Sequence, residues 1–243
     1  MIEYDGTEFF GFQIQAQERT VQGEIERALE QVTGAKTRVI GAGRTDRGVH
    51  ARGQVIGFEA KWRHGLLDLH RALNAVLAND VVLLEMGEAP EGFHPRFSAL
   101  RRAYRYTLLN QSWRSPLKRR TVWHIEQQLD VAQMAQASRF LMGSHDLASF
   151  GRPPQGDNTV REVFRAEWQR RRPLITFDIE ASAFLYRMVR SIVGTLVQVG
   201  LGHITVDGFK TLLEARDRSQ CKVMAPGQGL CLMRVDYPEG VLQ

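Results

Sequence analysis

A chain of 243 residues with a hydrophobic fraction of 43% has enough apolar content for one large domain or two small ones sharing a core, which argues against disorder. Its net charge of +5 and pI near 9.5 are moderate and rest mostly on arginine, with lysine only at Lys36, Lys61, Lys118, Lys210 and Lys222. No run approaches the roughly 20 apolar residues of a membrane span, the first residues are acidic and polar rather than signal-like, and Cys221 and Cys231 suit neither a C-x-x-C zinc site nor a disulfide framework, so a cytoplasmic protein is expected.

The chain opens on a short strand, Met1 to Tyr4, running straight into Asp5-Gly6. From Thr20, an N-cap, Val21, Ile25, Ala28, Leu29 and Val32 recur at helical spacing until Thr33-Gly34, which predicts an amphipathic helix. Thr37 to Ile40 and then Val55, Ile56 and Phe58 read as two strands. A second helical pattern covers Leu66 to Leu77, and Val81 to Met86 reads as a buried strand. The order β-α-β-β-α-β is that of the ferredoxin-like unit, also used by RNA-recognition modules, although the aromatic signature of those modules is missing from the third strand.

Between the two central strands lies Gly41-Ala42-Gly43-Arg44-Thr45-Asp46-Arg47-Gly48-Val49-His50-Ala51-Arg52-Gly53-Gln54. Glycine permits positive φ and close backbone approach, so such a loop can hold one side chain rigidly and leave room for a ligand beside it. The side chain held is Asp46, a carboxylate between Arg44 and Arg47. A plain Asx turn would also place an Asp here. A dinucleotide loop fails because G-x-G-x-x-G would need glycine at Asp46 and a helix to follow, and a P-loop fails for want of Gly-Lys-Ser/Thr.

Pro90, Gly92 and Pro95 mark a connector, after which Tyr104 to Leu109 alternates as a strand with Tyr104, Tyr106 and Leu108 on one face. Asp130 caps a helix running through Phe140 and Leu141 to Gly143. An adjacent His145-Asp146 brings metal phosphohydrolases to mind, but no further histidines stand at metal spacing, and His145 is read as orienting a local turn. Gly151 to Asp157 is a breaker-rich loop. Val160 to Arg171 and Leu174 to Ala181 form a hairpin around Arg172-Pro173. Phe184 to Val199 is a strongly apolar helix, with Arg187 and Arg190 three apart and so on one side. A short helix around Phe209 to Leu213 and a last strand, Leu230 to Tyr237, complete the chain. Arginine offers a planar fork for phosphate and a flat face for bases. The clusters Arg101-Arg102, Lys118-Arg119-Arg120 and Arg170-Arg171-Arg172 therefore suggest a polyanion surface, though a solvated arginine-rich face reads the same way.

Several motifs together resemble the tRNA pseudouridine synthase A family. They are Tyr4-Asp5-Gly6-Thr7-x-Phe9-x-Gly11-Phe12-Gln13-x-Gln15, Gly43-Arg44-Thr45-Asp46-x-Gly48-Val49-His50-Ala51, Phe93-His94-x-Arg96-Phe97-Ser98-Ala99, Tyr104-Arg105-Tyr106, Gly143-x-His145-Asp146, Phe184-Leu185-x-x-Met188-Val189-Arg190-x-Ile192-Val193-Gly194 and Ala225-Pro226-x-x-Gly229-Leu230. The resemblance spans nearly the whole chain. It implies an α+β fold of two ferredoxin-like-derived halves, residues 1–98 with the catalytic loop and 99–243 completing a basic cleft, over a shared, mixed but mainly antiparallel sheet. Asp46 and Tyr104 would come from one side of that cleft, Arg190 and Leu230 from the other.

The resemblance also implies roles. Asp46 would be the nucleophile, Arg190 its pairing and orienting partner, and Tyr104 the aromatic stacked on the target uracil, with a possible part in proton relay. Leu230 would close the uracil pocket, Arg44 would occupy the space of the flipped base, and Tyr106 would line or floor the same cleft. The substrate would be the tRNA anticodon stem-loop near positions 38 to 40, and the enzyme a homodimer without metal or cofactor. Arg47 stands where the family usually has a small Ala, so it is expected to add a phosphate contact or narrow the entrance. Whether Asp46 adds to uracil C6, to ribose C1′, or only stabilises a glycal-forming route stays open. Two rivals remain at this point: an RNA-binding module without chemistry, in which Asp46 would not matter, and a metal-dependent hydrolase on His145-Asp146.

Overall fold

The structure is a computed structural model that describes residues 1–241. In chain order the elements are β1 (Ile2–Tyr4), α1 (Val21–Thr33), β2 (Ile40–Gly41), β3 (His50–Gln54), β4 (Ile56–Gly57), α2 (Leu66–Val76), β5 (Val81–Leu83), β6 (Arg101–Asn110), β7 (Trp123–Ile125), α3 (Val131–Ser138), β8 (Gly143–Asp146), β9 (Val160–Arg171), β10 (Leu174–Ala181), α4 (Met188–Gly200), α5 (Val206–Ala215) and β11 (Leu230–Asp236). The fold is α+β. Two compact units divide the chain, one of residues 1–101 with 231–243 and the other of residues 102–230.

In the first unit the strands lie in the order β5, β1, β3, β11. β1 runs antiparallel to both β5 and β3, as the ferredoxin-like order requires. β11 runs parallel to β3, with Cys231 opposite His50 and Leu232 opposite Ala51. The place beside β3 that the second strand of a ferredoxin-like unit would fill is thus held by the end of the chain, while β2 leaves to pair with β4 in a separate two-stranded sheet. Thr20 caps α1 as expected, its side chain accepting from the Gly23 N–H, and Val21, Ile25, Ala28 and Leu29 are buried.

The sequence places the return strand at Val55 to Phe58, whereas the strand that enters the main sheet is β3, inside the glycine-rich segment. Its buried residues include polar His50 and Gln54, so no apolar alternation marks it. The His50 ring accepts from the Gly6 N–H and the Gln54 amide donates to the Gly43 carbonyl, which offsets part of the cost of burying them, while the Gln54 Oε1 is buried without a hydrogen-bond partner.

In the second unit the strands lie in the order β6, β10, β9, β8, with β7 parallel to β6 on that strand's other flank. The β9–β10 hairpin matches its predicted limits, and β6 extends the predicted strand at both ends. β7 has no signal in the sequence: three residues that pair with the end of β6 are too few to show a period. The apolar helix begins at Met188 rather than Phe184. Residues before it are drawn into an extended bridge, Tyr186 against Arg152, with the Tyr186 N–H donating to the Arg152 carbonyl at 2.8 Å. Arg187 takes a left-handed φ of 65° at the helix start, so the expectation that Arg187 and Arg190 share one helical side does not hold. Past that start α4 is buried nearly all round, as its apolar pattern requires.

Candidate active site

The loop bearing Asp46 is fixed from beneath by the N-terminal motif. The Thr45 side chain points inward, 6% exposed, and shares a 2.8 Å hydrogen bond with the Tyr4 hydroxyl. Its carbonyl accepts from the Phe12 N–H at 3.0 Å. On the near side the Gly43 carbonyl accepts from the Gln54 amide at 2.7 Å, and the Ala42 N–H donates to the Val55 carbonyl at 2.8 Å. On the far side the Gly48 N–H donates to the Phe9 carbonyl at 3.3 Å, and the Val49 N–H to the Asp46 carbonyl at 3.1 Å. Gly48 sits at φ 75° in that turn, a conformation that costs glycine little.

With Thr45 turned in, its neighbours face outward. Arg44 and Arg47 are exposed and Asp46 is half-buried. The Arg47 guanidinium lies 4.1 Å from the centre of the Phe10 ring, so it is held over an aromatic of the N-terminal motif. Arg19 makes the same contact with Phe9 at 4.1 Å and a two-pronged bond to Asp80 at 2.6 and 2.8 Å. These contacts explain the clustering of aromatics and glycines at residues 4–15: they are the bed on which the loop rests.

His50 is a residue to which the sequence assigned no part. It is buried, with Nδ1 accepting from the Gly6 N–H at 3.0 Å and lying 3.1 Å from the Asp5 carboxylate. A Cβ at Gly6 would fall 2.0 Å from the Val49 carbonyl oxygen, so only glycine lets β1 and the loop approach this closely. The signal available in the sequence was the recurrence of Asp5-Gly6-Thr7 and His50 in separate polar motifs, but nothing in their spacing said that they touch.

In the second unit, Tyr104, Arg190 and Leu230 fall together by chain membership. Tyr104 is buried and meets Phe184 edge-on, with ring centres 5.0 Å apart. Tyr106, two residues along the same face of β6, is fully buried, and its hydroxyl donates to the Pro226 carbonyl at 2.8 Å. Burial pushes its phenol well above the usual range, with the nearby Arg190 charge opposing in smaller measure. The Tyr106 ring lies against Gly229, where a Cβ would meet the ring 2.5 Å away. Arg190 is half-buried on the first turn of α4, its Nε donating to the Ala225 carbonyl at 2.8 Å while the Ala225 N–H returns a bond to the Arg190 carbonyl at 3.0 Å. Tyr106 and Arg190 thus both hold the segment 225–229, which delivers buried Leu230 at the start of β11.

His145 and Asp146 serve locally. The His145 Nε2 lies 2.7 Å from the Met142 carbonyl. Asp146 accepts from the Ala148 N–H and the Thr159 hydroxyl and lies 3.6 Å from Arg216. Among the described residues no group of three or more His, Cys, Asp or Glu is placed to hold a metal ion, and no helix is long and apolar enough to cross a membrane.

Comparison with known proteins adds the following. The tRNA pseudouridine synthase profile matches residues 1–98 and 137–238. The tRNA pseudouridine synthase A of Roseiflexus castenholzii is 47% identical over 244 residues, covering 98% of this chain and 89% of that protein. The proteins of the same name from Geobacter sp. strain M21 and Thermoanaerobacter sp. strain X514 are 44% and 39% identical, each alignment covering 98% of both chains. Among solved structures, a chain of a Cbf5-Nop10-Gar1 complex aligns with a TM-score of 0.38 at 11% identity, over 97% of this chain and 57% of that one.

Proposed function

The chain belongs to the tRNA pseudouridine synthase family, and on that premise we propose that it isomerises uridine to pseudouridine in the anticodon stem-loop of tRNA, with Asp46 as nucleophile. The observation that carries the reaction is the family match itself, which includes both the Asp46 loop and the helix of Arg190. The rigid seating of the loop through Thr45, Gly43 and Gly48 supports Asp46 in particular, because a nucleophile gains most when its direction is fixed before substrate arrives.

The reaction breaks the N1–C1′ bond, turns the uracil and joins C5 to C1′. Atoms and electrons balance without an oxidant, since the only group lost is the C5 proton, replaced by one gained at N1. An aspartate carboxylate is ionised at neutral pH and available to attack or to stabilise positive charge as the glycosidic bond breaks. Arg190 orients Asp46 in this reading, and a charge-assisted bond between them would keep the carboxylate ionised. Tyr104 stacks on the extruded uracil, a contact worth roughly 1–3 kcal/mol for any base, and Leu230 closes the pocket above the floor made by Tyr106. Arg44 fills the place the flipped base leaves, which offsets part of the few kcal/mol that extrusion costs. Arg47, parked on Phe10, adds a phosphate contact at the entrance. The working enzyme is a cytoplasmic homodimer.

The test is tritium release from unmodified tRNA labelled at uridine C5, for the wild type and Asp46→Asn. Release by the wild type and none by the variant, with tRNA binding retained by both, is the expected result. Equal release by the two removes Asp46 from its role, and binding without release by either leaves an RNA-binding module.

A further inference from the structure

Two arginine-rich clusters distant in sequence lie at one end of the second unit's sheet. Strand β10 begins at Leu174, which is opposite Leu109 on one side and Arg171 on the other. The Asn110 N–H donates to the Pro173 carbonyl at 2.9 Å. The turn carrying Arg171 and Arg172 therefore stands beside the end of β6, from which the segment 111–122 departs.

Asn110 joins the two. Its side-chain amide donates to the carbonyls of Ile125 and Gln127 at 3.0 and 2.8 Å, and its side-chain oxygen accepts from Arg170 at 2.9 Å. Arg170 also donates to the Leu129 carbonyl at 3.2 Å. Arg170 is thereby committed to structure, and it holds Arg171 and Arg172 in exposed positions next to the 111–122 segment.

That segment is itself built to project. The Lys118 N–H donates to Ser115, the Thr121 N–H to Lys118 and the Arg119 guanidinium to Pro116, each to a carbonyl within 3.1 Å. On this tied turn Trp113 is 82% exposed and Leu117 98% exposed. Arg114, Lys118, Arg119 and Arg120 flank them along the chain, and no carboxylate occurs between Asn110 and Glu126. A solvated charged face accounts for the arginines alone. It gives no reason to present a bare indole among them, whereas an indole amid cations is what single-stranded or looped RNA binds, base on ring and phosphate on guanidinium.

We propose that this end of the sheet, through Trp113, Arg114, Lys118, Arg120, Arg171 and Arg172, is a second RNA-docking surface that grips the tRNA substrate away from the target uridine. It lies six residues along β6 from Tyr104, about 20 Å at the strand rise, so it engages nucleotides other than the one being isomerised. The proposal rests on the tRNA reading for the identity of the RNA.

The experiment uses the full chain and an unmodified tRNA transcript. The variant Lys118→Ala/Arg120→Ala/Arg171→Ala/Arg172→Ala spares Arg170 and Arg119, which hold the local fold. Its log affinity should fall less steeply with log salt, the slope being shallower by about 3 at roughly 0.7–0.9 for each phosphate left unneutralised. KM should rise while kcat is kept, and lysine at Arg120, Arg171 and Arg172 should restore the slope. Trp113→Ala should weaken binding without altering the slope, because stacking releases no counterion. Wild-type slope and KM in the quadruple variant overturn the surface and leave the reaction assignment standing. A shift in sedimentation coefficient in that variant also overturns it, since the face would then belong to a contact between copies of the chain. A wild type that releases no tritium overturns the reaction instead, and the binding arm still decides the surface.

Discussion

Tyr4 and Thr45, forty-one residues apart, share a 2.8 Å hydrogen bond buried beneath the Asp46 loop. Because Thr45 is pulled inward, the residues on either side of it, Arg44 and Asp46, are turned toward solvent. Tyr4→Phe leaves the Thr45 hydroxyl buried without this partner, at a cost of about 1–3 kcal/mol. Thermal melts should show that loss, and kcat should fall more than KM changes, since the loop is loosened without removing an RNA contact. Pairing Tyr4→Phe with Thr45→Val removes both polar ends and should recover most of the stability. Recovery of stability without recovery of kcat would show that Thr45 positions the loop.

Gly229→Ala should cost both stability and activity. The new methyl would stand 2.5 Å from a Tyr106 ring that is fully buried and tethered at Pro226, so the ring cannot yield and the chain leading to Leu230 must. Overpacking of this kind costs about 1–3 kcal/mol. Gly202→Ala is the control. At φ 76° with nothing within 4 Å of the added atom, it bears backbone strain alone, on the order of 1 kcal/mol. Both variants should melt earlier, but only Gly229→Ala should raise KM for tRNA.

What the sequence makes legible, and what it does not, follows from the kind of signal each element carries. The helix from Val21, the β9–β10 hairpin and the cap at Thr20 each carry a period or a breaker, and they lie where the pattern puts them. β3 does not, because its buried His50 and Gln54 each bond a backbone group whose approach no local pattern encodes. The start of α4 is hidden because hydropathy runs unbroken through Phe184 and Leu185, while the bridge between Tyr186 and Arg152 draws that stretch out of the helix. For the candidate site, the loop and its outward residues are readable from glycine and charge. The bed beneath it is not, since Tyr4, Phe10 and His50 act across the sheet at separations that periodicity does not reach.

Arg47→Ala should leave the chemistry running. Its guanidinium lies 4.1 Å from the Phe10 ring, an exposed contact worth about 0.5–1 kcal/mol, and the residue is exposed to solvent. Steady-state tritium release should show kcat retained and KM raised by a few fold, with the KM effect shrinking as salt is added. Abolished kcat would mean that Arg47 acts on the reacting uridine itself.

The Tyr106 phenol predicts a stability loss at alkaline pH. Burial raises its folded-state pKa above the ordinary tyrosine value of about 10, which means that the folded protein keeps this proton after the unfolded chain has released it. The stabilising contribution is therefore complete below about pH 10 and is lost progressively as pH climbs beyond it. Urea unfolding at pH 9 and pH 11 should show a steeper decline for the wild type than for Tyr106→Phe. At pH 9 the variant should be the less stable of the two, because the Pro226 carbonyl loses its donor. The gap should narrow at pH 11, where ionisation of the freed phenol favours the unfolded wild type. Parallel declines in the two proteins would show that the phenol ionises as readily in the folded state as in the unfolded one, and that its place beside Pro226 is open to water.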